Sequence, residues 1–85
     1  MSKIKNNLEQ EILQRTLKDV RIRKGLMQTE IAKKLKLPQS FVSKYECGDR
    51  RLDIIELKSI CKVLEITLTS FVEEYEANLK EHETK

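Results

Sequence analysis

The chain has 85 residues, of which 39% are apolar and 36% are charged, with two glycines and one proline. This length and composition predict one compact all-helical domain and leave no room for a second domain. No apolar run approaches the roughly 20 residues that span a membrane, and the polar N-terminus, MSKIKNN, lacks the apolar stretch of a signal peptide. We therefore expect a cytoplasmic protein without a membrane partner.

Positive and negative charges are separated along the chain. The formal net charge is +3, but residues 15–51 hold 11 Lys or Arg against 4 Asp or Glu, whereas residues 52–85 hold 4 against 8. A basic half predicts a surface that faces a polyanion, and an acidic half predicts the side turned away from it. The alternative is that the charges only keep a small helical domain soluble.

The first predicted helix begins at Asn6 or Asn7 and ends before Gly25. Its apolar residues recur at helical spacing, at Leu8, Ile12, Leu13, Leu17 and Val20. Residues 1–6 are expected to be a frayed N-terminus, and the folded domain is expected to cover residues 7–79. The segment 80–85 contains no apolar residue and is predicted to be a disordered tail.

Two short helices follow, from Gln28 to about Leu35 and from Pro38 or Gln39 to Cys47. Their apolar residues form one shared seam, at Ile31, Ala32, Leu35, Leu37, Val42 and Tyr45. Two helices that cross steeply over a short turn need a small residue where their backbones come closest, and Ala32 fits that place.

Two more helices complete an all-α fold. The pattern from Asp53 to Glu56 predicts a capping box that opens helix 4, and Thr67 is predicted to cap helix 5. The core-facing residues of these helices are predicted at Ile54, Leu57, Ile60, Cys61, Leu64 and Phe71.

The residues around the second and third helices resemble the Cro and lambda-repressor family, the Xre-like regulators. The sequence carries R-x-x-x-G-L-x-Q from Arg21 to Gln28, an alanine and a valine ten residues apart, and E-x-G-x-R from Glu46 to Arg50. The resemblance covers roughly Leu17 to Phe71. It implies a single five-helix lambda-repressor-like domain, in which helices 2 and 3 form a helix-turn-helix that binds double-stranded DNA.

Three positions depart from the family pattern. Lys36 stands where the family usually has the glycine of the turn, which predicts a left-handed backbone at a lysine. Met27 stands at the N-cap of helix 2, where the family prefers Ser or Thr, so it has no oxygen to complete a capping box with Glu30. Pro38 replaces the usual Ser before helix 3 and presets φ for a helix start.

The polar face of helix 3 is the predicted base-contacting surface. At 100° per residue, five residues fall in one arc, opposite Val42: Gln39, Ser40, Ser43, Lys44 and Cys47. Gln39 can pair with adenine and Lys44 can donate to guanine, while Ser40 and Ser43 discriminate less. The resemblance assigns base contacts to these four residues, and the alternative is a merely solvated helix face.

Other residues are predicted to hold the DNA backbone or the fold. Gln28 at the start of helix 2, Arg50 and Arg51 after helix 3, and Lys36 in the turn are the candidate phosphate contacts. The family pattern also predicts a partly buried ion pair between Arg21 and Glu46.

A symmetric homodimer is expected because one helix 3 offers too few base-contacting side chains for tight operator selection. After the core is filled, five apolar residues are left over as a dimer interface: Ile55, Ile66, Leu68, Tyr75 and Leu79. The expected operator is an inverted repeat. The alternative is a monomer whose Ile66 and Leu68 fold into its own core.

No pattern indicates catalysis or cofactor binding. The only histidine is His82, Cys47 and Cys61 form no metal-ligand motif, and neither a nucleophile-base pair nor a glycine-rich loop is present. Cys61 is predicted to be a core residue. Cys47 is either an incidental small residue or a redox-sensing thiol. No metal, cofactor or small-molecule ligand is therefore expected, and the protein is not expected to be an enzyme.

The predicted function is a sequence-specific, DNA-binding transcriptional regulator. A phage-type repressor and a restriction-modification controller both fit its size. The alternative is an antitoxin, or a helix-turn-helix adaptor, whose main role is to bind another protein. Helix 1 is predicted to be longer than the family unit needs, and its first two turns and the acidic tail are the segments that would serve that role.

Overall fold

A computed structural model describes residues 7–83, and the N-terminal segment predicted to be frayed lies outside the described residues. Five helices follow one another: α1 (Asn7–Arg23), α2 (Gln28–Leu35), α3 (Gln39–Cys47), α4 (Ile54–Val63) and α5 (Leu68–Glu83). The part of the chain that the structure describes contains no strand. The predicted all-α, five-helix architecture is confirmed. None of the described helices is long and apolar enough to cross a membrane.

The helix starts differ in how well their free backbone N–H groups are capped. At α4 the capping box is complete, because Asp53 Oδ1 accepts from Glu56 N at 2.7 Å and Glu56 Oε1 accepts from Asp53 N at 2.9 Å. At α2 only half of the box forms, with Glu30 Oε1 accepting from Met27 N at 2.7 Å. The methionine at that N-cap contributes no acceptor.

The turn between α2 and α3 is closed by a lysine in the left-handed conformation. Lys36 has φ of 61°, as the missing glycine predicts, and its amide donates to Lys33 O at 3.1 Å. The next amide, Leu37 N, donates to Ala32 O at 3.0 Å. These two bonds satisfy carbonyls at the end of α2 and close the turn that leads into α3.

The core lies where α2, α3 and α4 meet α1 and the start of α5. Val20, Val42 and Ile60 are fully buried, and Ala32 is 3% exposed at the close approach of α2 and α3. Cys61 is 1% exposed, which confirms its predicted place in the core.

The outer parts of α1 and α5 pack against each other. Tyr75 Oη donates to Glu9 O at 3.4 Å, and Asn78 Nδ2 donates to the buried Thr16 Oγ1 at 3.0 Å. The tail predicted to be disordered begins at residue 80, but α5 continues to Glu83, and residues 84–85 lie outside the described residues. A helix already held along one side adds a further turn at little cost, even where that turn has no apolar residue.

Candidate nucleic-acid interface

One face of α3 is buried and the opposite face is free. Val42 and Tyr45 are 0% and 2% exposed. The recognition face, defined as the five residues of the predicted polar arc, contains the exposed Gln39, Ser40, Lys44 and Cys47 and the half-buried Ser43. The fold therefore leaves the predicted base-contacting side chains available on one side of one helix, where a major groove can admit it.

A chain of hydrogen bonds runs from the start of α3 into the molecule. Gln39 Nε2 donates to Gln28 Oε1 at 3.1 Å, and Gln28 Nε2 donates to Glu46 Oε1 at 2.9 Å. Glu46 also accepts from Arg21, through Nε at 2.7 Å and Nη2 at 3.0 Å. The carboxamide of Gln39 is thereby oriented while its oxygen and second N–H stay available.

The Arg21–Glu46 pair, at the inner end of this chain of hydrogen bonds, is almost fully buried. The side chains of Arg21 and Glu46 are 12% and 4% exposed. The guanidinium also donates to Leu26 O at 2.9 Å, so it joins α1 to α3 and to the loop before α2. The hydrogen bond to Glu46 raises the pKa of Arg21 above its ordinary value. The predicted contact between these two side chains is thus present, with bidentate geometry.

The end of α3 is fixed by a glycine that no other residue replaces easily. Gly48 has φ of 96°, and its amide and those of Asp49 and Arg50 all donate to Lys44 O, at 3.0, 2.9 and 3.2 Å. A Cβ on this glycine would stand 2.8 Å from Gln14 Nε2, a flexible side-chain end that can move, so the left-handed φ is the main reason for a glycine here. The loop that carries the two arginines is therefore tied to the recognition face at Lys44.

The candidate phosphate contacts stand in different surroundings. Arg50 forms an ion pair with Glu56 and lies over the Phe41 ring at 4.8 Å from its centroid. Arg51 and Lys36 are exposed, and their side chains make no hydrogen bond or ion pair within the described residues. The structure thus brings Gln28 and Gln39 together, whereas the Lys36 side chain forms no hydrogen bond with either of them.

Phe41 packs within the protein rather than extending from the recognition face. Its ring meets Tyr45 edge to face, with centroids 5.6 Å apart and an interplanar angle of 76°.

Cys47 is exposed, and its thiol donates to Lys44 O at 3.6 Å.

The five residues predicted for a dimer interface are not equally exposed. Ile55 is 71% exposed, whereas Ile66, Leu68 and Tyr75 are partly buried against the core and Leu79 is half-buried. Ile54, the neighbour of Ile55, is 61% exposed, so the prediction that it faces the core is wrong. The largest exposed apolar surface of the acidic half is therefore at the start of α4.

Two side-chain links at the interface were not anticipated from the sequence. The bond between Gln28 and Gln39 joins the first residues of two helices eleven positions apart, and Arg50 pairs with Glu56 across the loop after α3. Opposite charges six residues apart give no helical or strand periodicity, so pattern analysis does not detect such a pair.

Known proteins support the same fold and the same family. A helix-turn-helix family model matches residues 17–71. The structure superimposes on the wild-type restriction-modification controller protein C.Esp1396I with a TM-score of 0.83 and 27% identity, covering 91% of this chain and 100% of that chain. No curated relative matches the chain significantly.

Two further structures extend this result. The C.Esp1396I tetramer in complex with its natural 35 base-pair operator matches with a TM-score of 0.80 and 27% identity, covering 87% of this chain and 97% of that chain. An XRE-family like protein from Pseudomonas syringae pv. tomato str. DC3000 is 37% identical, with a TM-score of 0.78, covering 84% of this chain and 87% of that chain. The chain belongs to the Xre-type helix-turn-helix family of DNA-binding transcriptional regulators.

Proposed function

We propose that this regulator recognises a specific operator by inserting α3 into the major groove, and that it acts as a homodimer on an inverted repeat. The observation that carries the proposal is the hydrogen-bond chain that holds the exposed Gln39 carboxamide through Gln28 and Glu46. A side chain oriented before binding loses less conformational entropy when it meets a base.

Base contacts are assigned to the exposed residues of α3. A glutamine can accept from adenine N6 and donate to N7, and the Gln39 carboxamide retains an acceptor and a donor for that pairing. Lys44 can donate to guanine O6 and N7, while Ser40 and Ser43 contact bases with less discrimination.

Phosphate contacts are assigned to residues that flank α3. Gln28 at the start of α2 has one amide hydrogen left after its bond to Glu46, and free backbone N–H groups lie in the same first turn. Arg50, Arg51 and Lys36 would add charge on either side of the recognition face. Such contacts position the protein on the duplex without selecting its sequence.

The proposed homodimer would be organised like a restriction-modification controller or a phage-type repressor. Its support is the structural similarity to a controller protein that forms a tetramer on its operator. Ile55, Ile66, Leu68, Tyr75 and Leu79 are the proposed contact residues. The high exposure of Ile55 beside Ile54 supports a contact centred on the start of α4.

A role that consists mainly of binding another protein has less support. The first two turns of α1 and the acidic tail are the segments that would contact such a partner. The first turn of α1 already contacts α5, because Tyr75 Oη donates to Glu9 O.

The test compares an operator with random DNA. The operator is first selected by the wild-type protein from a pool of random duplexes. Gln39→Ala and Lys44→Ala should each cost about 1 to 3 kcal/mol on the selected site and little on random duplex. Arg51→Ala should weaken both, and lower the salt dependence, because a phosphate contact carries no sequence information.

Equal losses on the two duplexes for the α3 variants would contradict the assignment of base contacts. Failure of the wild-type protein to enrich any sequence from the pool would contradict operator recognition as a whole.

A further inference from the structure

Arg50 is held from two sides in the free protein. Its Nη2 group donates to Glu56 Oε2, and its guanidinium carbon lies 4.8 Å from the centroid of the Phe41 ring. Its backbone amide donates to Lys44 O, which belongs to the recognition face. The side chain is nevertheless 41% exposed. A guanidinium has five N–H donors in a rigid fork, so one bond to a carboxylate leaves donors for a second anion.

Glu56 is itself held in place. Its second oxygen, Oε1, accepts from Asp53 N at 2.9 Å as part of the capping box of α4. The carboxylate therefore connects the start of α4 to Arg50 through its two oxygens. It cannot turn away from the arginine without giving up the cap, so the arginine is held by a fixed partner.

If only charge mattered, the Glu56 carboxylate should weaken the binding of DNA. A negative group beside a phosphate-binding arginine repels the duplex, and removing it should strengthen DNA binding. The geometry supports the opposite sign, because an arginine that is already ordered loses less freedom when it binds a phosphate.

We propose that Glu56 is a positioning residue for DNA binding, which holds Arg50 in the orientation in which it meets a backbone phosphate. The inference rests on the proposed phosphate contact of Arg50. The Phe41 ring supports the face of the guanidinium, and Glu56 fixes its edge. The free edge of the fork then faces the duplex.

The test uses a pair of substitutions that remove the same charge from the same helix start. In Glu56→Gln the amide oxygen can still accept from Asp53 N, while the amide nitrogen has no lone pair for Arg50. In Asp53→Asn the cap is retained, because asparagine is as good an N-cap as aspartate, and within residues 7–83 the Asp53 side chain forms no hydrogen bond or ion pair with Arg50. Affinity is measured by fluorescence anisotropy on a mixed-sequence duplex at low salt, and thermal melts verify that each variant is folded.

We expect Glu56→Gln to bind the duplex about threefold to tenfold more weakly than the wild-type protein, since one ordered phosphate contact becomes disordered. Asp53→Asn should bind as tightly as the wild type or slightly more tightly. In an Arg50→Ala background, Glu56→Gln should cause no further loss, because its effect passes through the arginine.

Three outcomes would overturn the proposal. If the Glu56→Gln variant bound the duplex as tightly as the Asp53→Asn variant, the Glu56 carboxylate would act only as a repulsive charge. An undiminished loss in the Arg50→Ala background would show that Glu56 acts elsewhere. If Arg50→Ala did not weaken DNA binding, Arg50 would not be a phosphate contact and Glu56 would have nothing to position. The proposed operator recognition would still be supported if Gln39→Ala lost affinity for the selected site alone.

Discussion

Glu46 is the residue that joins the recognition helix to the rest of the protein. Its carboxylate accepts two hydrogen bonds from Arg21 and one from Gln28, and only 4% of the side chain is exposed. A buried carboxylate is tolerated when its lone pairs are satisfied in this way. Because Gln28 in turn contacts Gln39, a change at this carboxylate should reach the base-contacting end of α3.

The Arg21–Glu46 pair should be strongly coupled. We expect Arg21→Met and Glu46→Leu each to cost about 3 kcal/mol of unfolding free energy, because each leaves a buried charge without a partner. The double variant should cost less than either single change, since both charges are then gone. A double-mutant cycle by urea denaturation measures the coupling.

The Arg23–Glu74 pair is a suitable control for that cycle. It is also bidentate, with distances of 2.9 and 3.1 Å, but the two side chains are 56% and 31% exposed. Solvent screens such a pair, so its coupling should be much weaker than that of the Arg21–Glu46 pair. Similar coupling energies for the two pairs would mean that burial does not strengthen the Arg21–Glu46 interaction.

Cys61 should make the protein less stable in alkali. Burial raises the pKa of its thiol from 9.0 to about 11. Between these values the unfolded chain has lost a proton that the folded chain still holds, so stability is complete below pH 9 and falls as the pH rises. We expect a loss of about 2 kcal/mol between pH 9 and pH 11.

The Cys61→Ala variant isolates this contribution. Its unfolding free energy, followed by urea denaturation, should fall less steeply with pH than that of the wild type. Tyr45, whose pKa is also raised mainly by burial, titrates in both proteins, and only its weak coupling to the Cys61 thiolate, the last of the causes of its shift, differs between them. Parallel pH profiles for the two proteins would refute the contribution of the thiol.

At the level of elements, the turn between α2 and α3 is repeated between α4 and α5. Glu65 has φ of 63°, its amide donates to Lys62 O at 3.0 Å, and Ile66 N donates to Cys61 O at 3.0 Å. These are the same bonds that Lys36 and Leu37 make in the first turn. Both turns place a charged, β-carbon-bearing residue in a conformation that favours glycine.

Replacing either of these residues by glycine should stabilise the protein by about 0.5 to 1 kcal/mol, because the left-handed backbone is strained for any residue with a Cβ. Thermal or urea unfolding of Lys36→Gly and Glu65→Gly measures this gain. The two variants should differ in DNA binding, since only Lys36→Gly removes a proposed phosphate contact. Loss of stability in both would show that the turns carry no such strain.

The sequence was sufficient to predict helix boundaries but not the extent of α5. Periodic apolar residues and the caps at Asp53 and Thr67 predict where α4 and α5 begin, and the Thr67 hydroxyl does accept from Ser70 N at 3.0 Å. The last turn of α5 has no apolar residue, so periodicity does not detect it. It continues a helix that is already packed on α1.

For the whole molecule, the fold and the location of the recognition face follow from the sequence, because apolar spacing fixes which side of each helix is buried. The pairing of Gln28 with Gln39 and of Arg50 with Glu56 does not follow. Each depends on side-chain rotamers and on how the helices and the loop after α3 are packed, and residue spacing does not encode either.

The separation of charge across the molecule supports a two-fold arrangement. If two copies meet through their acidic halves, both basic faces point to the same side, and the two α3 helices can stand about 34 Å apart, one turn of the duplex. We therefore expect sedimentation at micromolar concentration to give a dimer, and footprinting to protect an inverted repeat with half-sites about ten base pairs apart. A monomer that protects a single unrepeated site would refute the arrangement.

Ile55→Glu should convert that dimer into a folded monomer. Ile55 is 71% exposed in the first turn of α4, where an acidic residue is favourable for the helix itself, so a loss of association would not reflect unfolding. Burying a carboxylate at an apolar contact is costly, and binding to the full operator should fall towards the affinity of one half-site. Ile22→Glu introduces the same charge at a 56% exposed isoleucine on α1 and should remain dimeric. If Ile55→Glu sediments as the wild type does, the contact lies elsewhere than at the start of α4.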